Sequence, residues 1–235
     1  SLREGWMPMP SVQWSPSPGL SMRSESFGVE QNGQPITLLR HRIHNTSQKK
    51  IDGELIMLVR PTQINPSWQS GGLSPIDEVA IEGPVTDTGV RVNGRLLLRS
   101  LTPVHGRGAS GFGAHGEDEL TLSVVYGALP TALKAKEFDG LAAAYLAYQV
   151  KLAPGEKRDV VLAFPLGKQR SDPTTHKLPE APAIDRAALM GSAETAGEAF
   201  DAQAERVAEQ WEERVTRVGF EVRVDLVADT GERFA

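Results

Sequence analysis

Residues 90–100 read VRVNGRLLLRS, two apolar runs joined by Asn93-Gly94. Both turn residues tolerate positive φ, so the dipeptide matches the right-handed twist of two antiparallel strands and predicts a tight hairpin. The same grammar recurs outward in both directions. SMRSESFGVE alternates, turns at Asn32-Gly33, and continues into ITLLRHRIHN, where Ile36, Leu38, His41 or Arg40, and Ile43 compete for the inner face. After NTSQKKIDG comes GELIMLVRP, and further on ELTLSVVYGAL, AAYLAYQVKL and RDVVLAFPL read as three more strands, the last two joined by APGEKR. Seven or more strands from Gly19 to about Pro165, with no helical pattern between them, predict antiparallel sheets packed as a sandwich.

Beyond Pro165 the pattern changes. KQRSDPTTHKLPEAPAID is polar, contains proline and has no period, which predicts an exposed connector. AETAGEAFDAQAERVAEQWEERVTRVG then places Phe200, Ala204, Val207, Trp211, Val215 and Val218 on one stripe, with Glu, Arg and Gln opposite. A helix of that length spans roughly 40 Å, enough to cross a whole sandwich. Its stripe requires burial against the sandwich or against a neighbouring domain. GFEVRVDL restarts a strand pattern. The expected organisation is a β-sandwich over 1–167, a polar connector over 168–191, a long amphipathic linker helix over 192–218 and the start of a further strand over 219–235. An unfinished last element and a start at SLREGW suggest a piece of a longer protein.

Composition narrows the function classes. With 235 residues the chain has enough surface to bury for a core without staples, and it has no cysteine for disulfide or thiolate chemistry. A net charge of −5, with acids and bases interspersed, argues against nucleic acid, which needs clustered cations. No apolar run approaches the length of a membrane helix, so no membrane insertion is expected.

Local motifs carry little chemistry. Residues 106–111, GRGASG, match G-x-G-x-x-G, but a loop and an apparent strand follow where a dinucleotide site needs a helix N-terminus. A mobile glycine loop between strands is expected there. His41 and His44 are three apart on a strand and point to opposite faces; His105 and His115 flank the glycine loop, and His176 lies in the connector. No metal-ligand set, cofactor motif or nucleophile elbow is present, and Glu117, Asp118 and Glu119 read as a solvated turn. Trp6 and Trp14, among prolines, read as packing residues.

The loop RPTQINPSWQSGGLSP, residues 60–75, is different: Gln63, Asn65, Trp68 and Gln69 combine an indole with three side-chain amides. An indole face stacks on pyranose C–H groups and amides bond paired hydroxyls, so these four are the candidate carbohydrate-binding residues. Alternatively, Pro61 and Pro66 stiffen the strand exit and Trp68 caps the end of the sandwich.

Taken together, the RPTQINPSWQSGGLSPI loop, the polar connector and the helix ending QWEERVTRVGFEV resemble large bacterial multidomain proteins. In these a galactose-mutarotase-like supersandwich precedes an (α/α)6-barrel of glycoside hydrolase type, and some carry discoidin-like domains. The resemblance implies a mainly β fold, a supersandwich followed by a linker helix, and a non-catalytic, carbohydrate-associated accessory role. The implied partners are carbohydrate or an adjacent catalytic domain that the loop around Trp68 reaches. It also implies a periplasmic or extracellular setting, no catalytic residues on this chain and no cofactor. Neither His105 nor His115 aligns with the His and Glu residues of a mutarotase, so the likeness does not bring that activity with it. Two alternatives remain: an adhesive or structural β-sandwich of a surface protein, and a mutarotase- or epimerase-type enzyme.

Overall fold

A computed structural model describes residues 1–61, 75–112, 119–166 and 181–218. The fold is mainly β, built from large antiparallel sheets with a long helix at the C-terminal side. The strands are β1 (Leu2–Arg3), β2 (Met7–Ser17), β3 (Leu20–Gln31), β4 (Gln34–Asn45), β5 (Ile51–Val59) and β6 (Glu78–Glu82). They continue as β7 (Gly89–Val92), β8 (Arg95–Ser100), β9 (Gly106–Ser110), β10 (Lys134–Lys136), β11 (Ala143–Leu152) and β12 (Lys157–Pro165). Among the described residues three helices accompany them: α1 (Glu119–Tyr126), α2 (Arg186–Met190) and α3 (Ala196–Val218).

Nine strands form one sheet in the order β1-β2-β3-β4-β12-β8-β7-β6-β10, and β5-β11-β9 form a second. The hairpins read from the sequence are present. Asn32 (φ 52°) and Gly33 (φ 73°) turn β3 into β4, and Asn93 (φ 49°) and Gly94 (φ 79°) turn β7 into β8. Two consecutive residues in the left-handed region at each turn would strain most side chains; Asn and Gly accept it.

The centre of the large sheet is buried on both faces. On β12, Val160 and Leu162 pack toward the three-stranded sheet with Tyr148, Leu146 and Val79, whereas Val161 and Ala163 pack toward α3 with Phe27, Leu38 and Phe200. This explains the competition on β4. Ile36 and Leu38 join the core beneath α3, while Ile43 faces the opposite way onto Val150 and Leu152. A strand enclosed by a second sheet on one side and a helix on the other needs apolar residues at both parities.

Two strand-level expectations are corrected. ELTLSVVYGAL forms α1 over Glu119–Tyr126, ending at Gly127 (φ 71°). Its Leu120 is fully buried with Tyr145, Ala143 and Ala147 on the outer face of the smaller sheet. Burial on a sheet surface overrode the strand preference of its valines. GRGASG is a strand, β9, pairing Ser110 to Ala143 through Gly106 to Ala147, and no loop. Its glycines serve packing: a Cβ on Gly108 would lie 1.9 Å from the Pro130 carbonyl oxygen, so that crossing segment approaches only a bare backbone. The sequence reading also starts the sheet at Gly19, whereas β2 precedes it. Pro8 and Pro10 in β2 are exposed near the sheet margin, where a missing N–H is tolerated. Within the connector, residues 181–190 carry α2, capped by Asp185 and holding Leu189 in the core.

Candidate functional site

α3 starts four residues later than its periodicity predicts because a reciprocal cap sets its origin. The Glu198 amide donates to Thr195 Oγ1 at 3.2 Å, and the Glu198 carboxylate accepts from the amides of Glu194 and Thr195 at 3.0 and 3.1 Å. From there the helix crosses the large sheet strand by strand. Gly197 lies against Asp159 of β12, so closely that a Cβ would meet its carboxylate oxygen at 2.5 Å. One turn on, the Phe200 ring packs edge-on to Phe27 of β3 with centroids 4.7 Å apart. Further along, Glu205 receives both hydrogen bonds of Arg3 on the margin strand β1, at 2.7 and 2.9 Å.

An ion-pair array fastens the first part of this crossing. Arg40 of β4 is 5 % exposed, sits 4.3 Å from the Phe200 ring centre, pairs with Glu25 of β3, and donates to Asp201 of α3 at 2.6 Å. Arg42 grips Asp159 bidentately, both contacts at 2.7 Å, and comes within 3.5 Å of Asp201. Arg23 completes the array on Glu25 at 2.9 Å. The hydrogen bonds that Arg42 donates to Asp159 raise its pKa further, against the opposing cost of burial. Three arginines against three carboxylates leave no net charge, so their main product is position: α3 is held in one register on the sheet.

Cavities open on both sides of that fastening. One of about 400 Å³ lies toward β1, between Arg3, Arg23 and Glu205. A larger one of about 640 Å³ lies between β12 and the start of α3. Its walls hold Arg42, Lys157, Arg158 and Arg186 against Asp159, Glu194, Glu198 and Asp201, with Leu101, Pro103 and Met190 as apolar surface. Arg186 donates to the Leu101 carbonyl at 3.0 Å. Sequence reasoning missed all of these residues. The only available signal was a set of charges at inward parity on β4 and β12, and that parity becomes visible only once α3 is known to cover it.

The residues singled out from the sequence fare differently. Gln63, Asn65, Trp68 and Gln69 lie outside the described residues, as do His115, Glu117, Asp118, His176 and residues 219–235. His41 and His44 do lie on opposite faces of β4: His41 shares a hydrogen bond with Ser24 on the strand beside it, and burial lowers its pKa. His105 stands 3.4 Å from Glu54 on the outer side of the smaller sheet, the two side chains 55 % and 38 % exposed. Burial, and secondarily Glu54, raises the pKa of the adjacent Tyr145. Both side chains of the His105–Glu54 pair are open to solvent in part. Trp6 packs on the core under α3 as expected, but Trp14 is 40 % exposed. Among the described residues no group of three or more His, Asp or Glu is placed to hold a metal ion.

The helix stripe divides in two. Phe200, Ala204 and Val207 are 2, 6 and 8 % exposed, whereas Trp211 is only half-buried, with Arg214 over its ring at 5.5 Å, and Glu212, Glu213, Arg214 and Thr216 around it are exposed. No described helix is long and apolar enough to cross a membrane. No protein-family model and no curated protein matches the chain.

Proposed function

We propose that this chain is a non-catalytic, carbohydrate-associated β-sandwich module that presents α3 to an adjacent domain of (α/α)6-barrel, glycoside hydrolase type. The observation that carries the reading is the asymmetry of α3. Its first half is fastened to the sheet by Phe200 and the Arg40–Asp201 array, while the Trp211–Val215 part, past the contact with β1, is only partly covered. A helix that existed only to close the core would end where burial ends. This one continues with its apolar stripe half-covered, as an arm to a partner requires. The carbohydrate association comes from the resemblance of the residue 60–75 loop and the helix end to supersandwich proteins.

Two measurements test it. The coding sequence downstream of residue 235 is expected to continue into roughly a dozen amphipathic helices, and that region is expected to bind this chain through Trp211. A gene that stops within a few dozen codons, or a downstream region that binds Trp211→Ala as tightly as the unaltered chain, overturns the reading.

A further inference from the structure

We propose that the 640 Å³ cavity between β12 and the start of α3 binds a singly charged sugar acid, such as a hexuronate, through Lys157, Arg158 and Arg186. The carboxylate half of the ligand comes from the cavity itself; the sugar half rests on the carbohydrate reading above. The size falls within the roughly 300–1,000 Å³ of small-molecule sites. Among the described residues β12 pairs with β8 through Leu162 and Ala163 only, so residues 157–159 run along an open stretch of its edge, where both parities line the cavity.

The charges in the wall are unequally settled. Asp159 and Asp201 are taken by Arg42 and Arg40, inside the neutral array described above. Lys157, Arg158 and Arg186 have no carboxylate partner among the described residues, and the Nε–H groups of both arginines are enclosed without an acceptor. Arg186 spends Nη2 on the Leu101 carbonyl, a neutral acceptor, at 3.0 Å. Its Nη1 and both terminal amino groups of Arg158 are unpaired among the described residues. Against these three cations stand the exposed Glu194 and Glu198, whose carboxylate already accepts from two amides. The surplus is one positive charge, which a carboxylate matches and an arginine fork is shaped to hold. A phosphate, at roughly −1.5 to −2, overshoots that surplus and meets both glutamates. Thr195 Oγ1 accepts from the Glu198 amide and keeps its own proton to donate, and Glu194 accepts, so ring hydroxyls find partners of both kinds. Pro103 and Met190 supply apolar surface for the C–H face of a ring.

The whole chain would be titrated with glucuronate and galacturonate by saturation-transfer NMR and calorimetry, beside glucose, galactose, acetate and inorganic phosphate. The expected result is a uronate bound about tenfold or more tightly than its neutral parent sugar, with binding that weakens as salt is raised. Lys157 is exposed and Arg158 has no described hydrogen bond to lose, so Lys157→Glu and Arg158→Gln are expected to fold, which circular dichroism checks. Each is expected to weaken uronate binding by about tenfold or more. Glu194→Gln removes an opposing charge and is expected to tighten it about twofold or more, a gain that damage to the fold does not give. Trp68→Ala is expected to leave it unchanged. Uronate and neutral sugar bound equally, or uronate retained in both Lys157→Glu and Arg158→Gln, overturns the cavity site and leaves the carbohydrate association standing. Acetate or phosphate bound as tightly as the uronates, and lost in the same variants, overturns the sugar acid and the carbohydrate association at this site. No binding of any of these anions overturns the site, while the Trp211→Ala test of the adjacent domain decides the module reading separately.

Discussion

Replacing Phe200 by alanine and, separately, Trp211 by alanine measures how unequally α3 is held. Phe200 is 2 % exposed, with Phe27 at 4.7 Å on one side and the Arg40 guanidinium at 4.3 Å on another. Core Phe→Ala changes cost about 3–5 kcal/mol, and a site walled by a second ring and a fixed arginine collapses poorly; we expect about 4 kcal/mol. That is a large share of the roughly 5–15 kcal/mol that holds a domain folded. Trp211 is the larger side chain but is only half-buried, so its truncation is expected to cost about 1 kcal/mol in the isolated chain. Urea unfolding followed by far-ultraviolet circular dichroism gives both values, because four tryptophans would blur a fluorescence readout. Amide hydrogen exchange should show the start of α3 opening in Phe200→Ala, with little change there in Trp211→Ala. Equal costs, or a larger one for Trp211, would refute the argument that the helix has an anchored half and a partner-seeking half.

Other perturbations probe the rest of the fold. Arg40→Met leaves Glu25 and Asp159 partly buried with only Arg23 and Arg42 to compensate them; we expect a loss of about 3 kcal/mol, whereas Asp201→Asn, whose side chain is 55 % exposed, should cost under about 1 kcal/mol by thermal or urea melts. Gly108→Ala places a methyl group against the Pro130 carbonyl and should destabilise by about 3 kcal/mol or more, with exchange protection lost first along β9. Burial holds the His41 pKa below its ordinary 6.5, so the unfolded chain binds that proton more readily. The resulting stability is complete above about pH 6.5 and declines as pH falls through that value toward the lower folded-state pKa, at no more than about 1.4 kcal/mol per pH unit. In His41→Gln, urea midpoints between pH 7 and 5 should lose that component of their slope.

The β architecture was legible wherever a residue's local demand agreed with its final surroundings. Asn32-Gly33 and Asn93-Gly94 accept positive φ whatever packs around them, so both hairpins could be read directly, and the spacing from Phe200 to Trp211 could form a stripe only as a helix. Those features depend on neighbours in the chain, and the sequence by itself determined them. Residues 119–126 and 106–110 are different. A short apolar run satisfies a strand or a helix equally, and a glycine run satisfies a loop or a close crossing, so the outer face of the smaller sheet and the Pro130 carbonyl made the choice. The fastening array and its flanking cavities were still further from view. Glu25, Arg40, Asp159 and Asp201 are spread over more than 170 positions, and only the pairing of β3 with β4, of β4 with β12, and the path of α3 across them bring those charges within hydrogen-bond reach. Local conformation is set by short-range sterics and periodicity, whereas the meeting of distant charges is a property of topology, which tertiary packing alone decides.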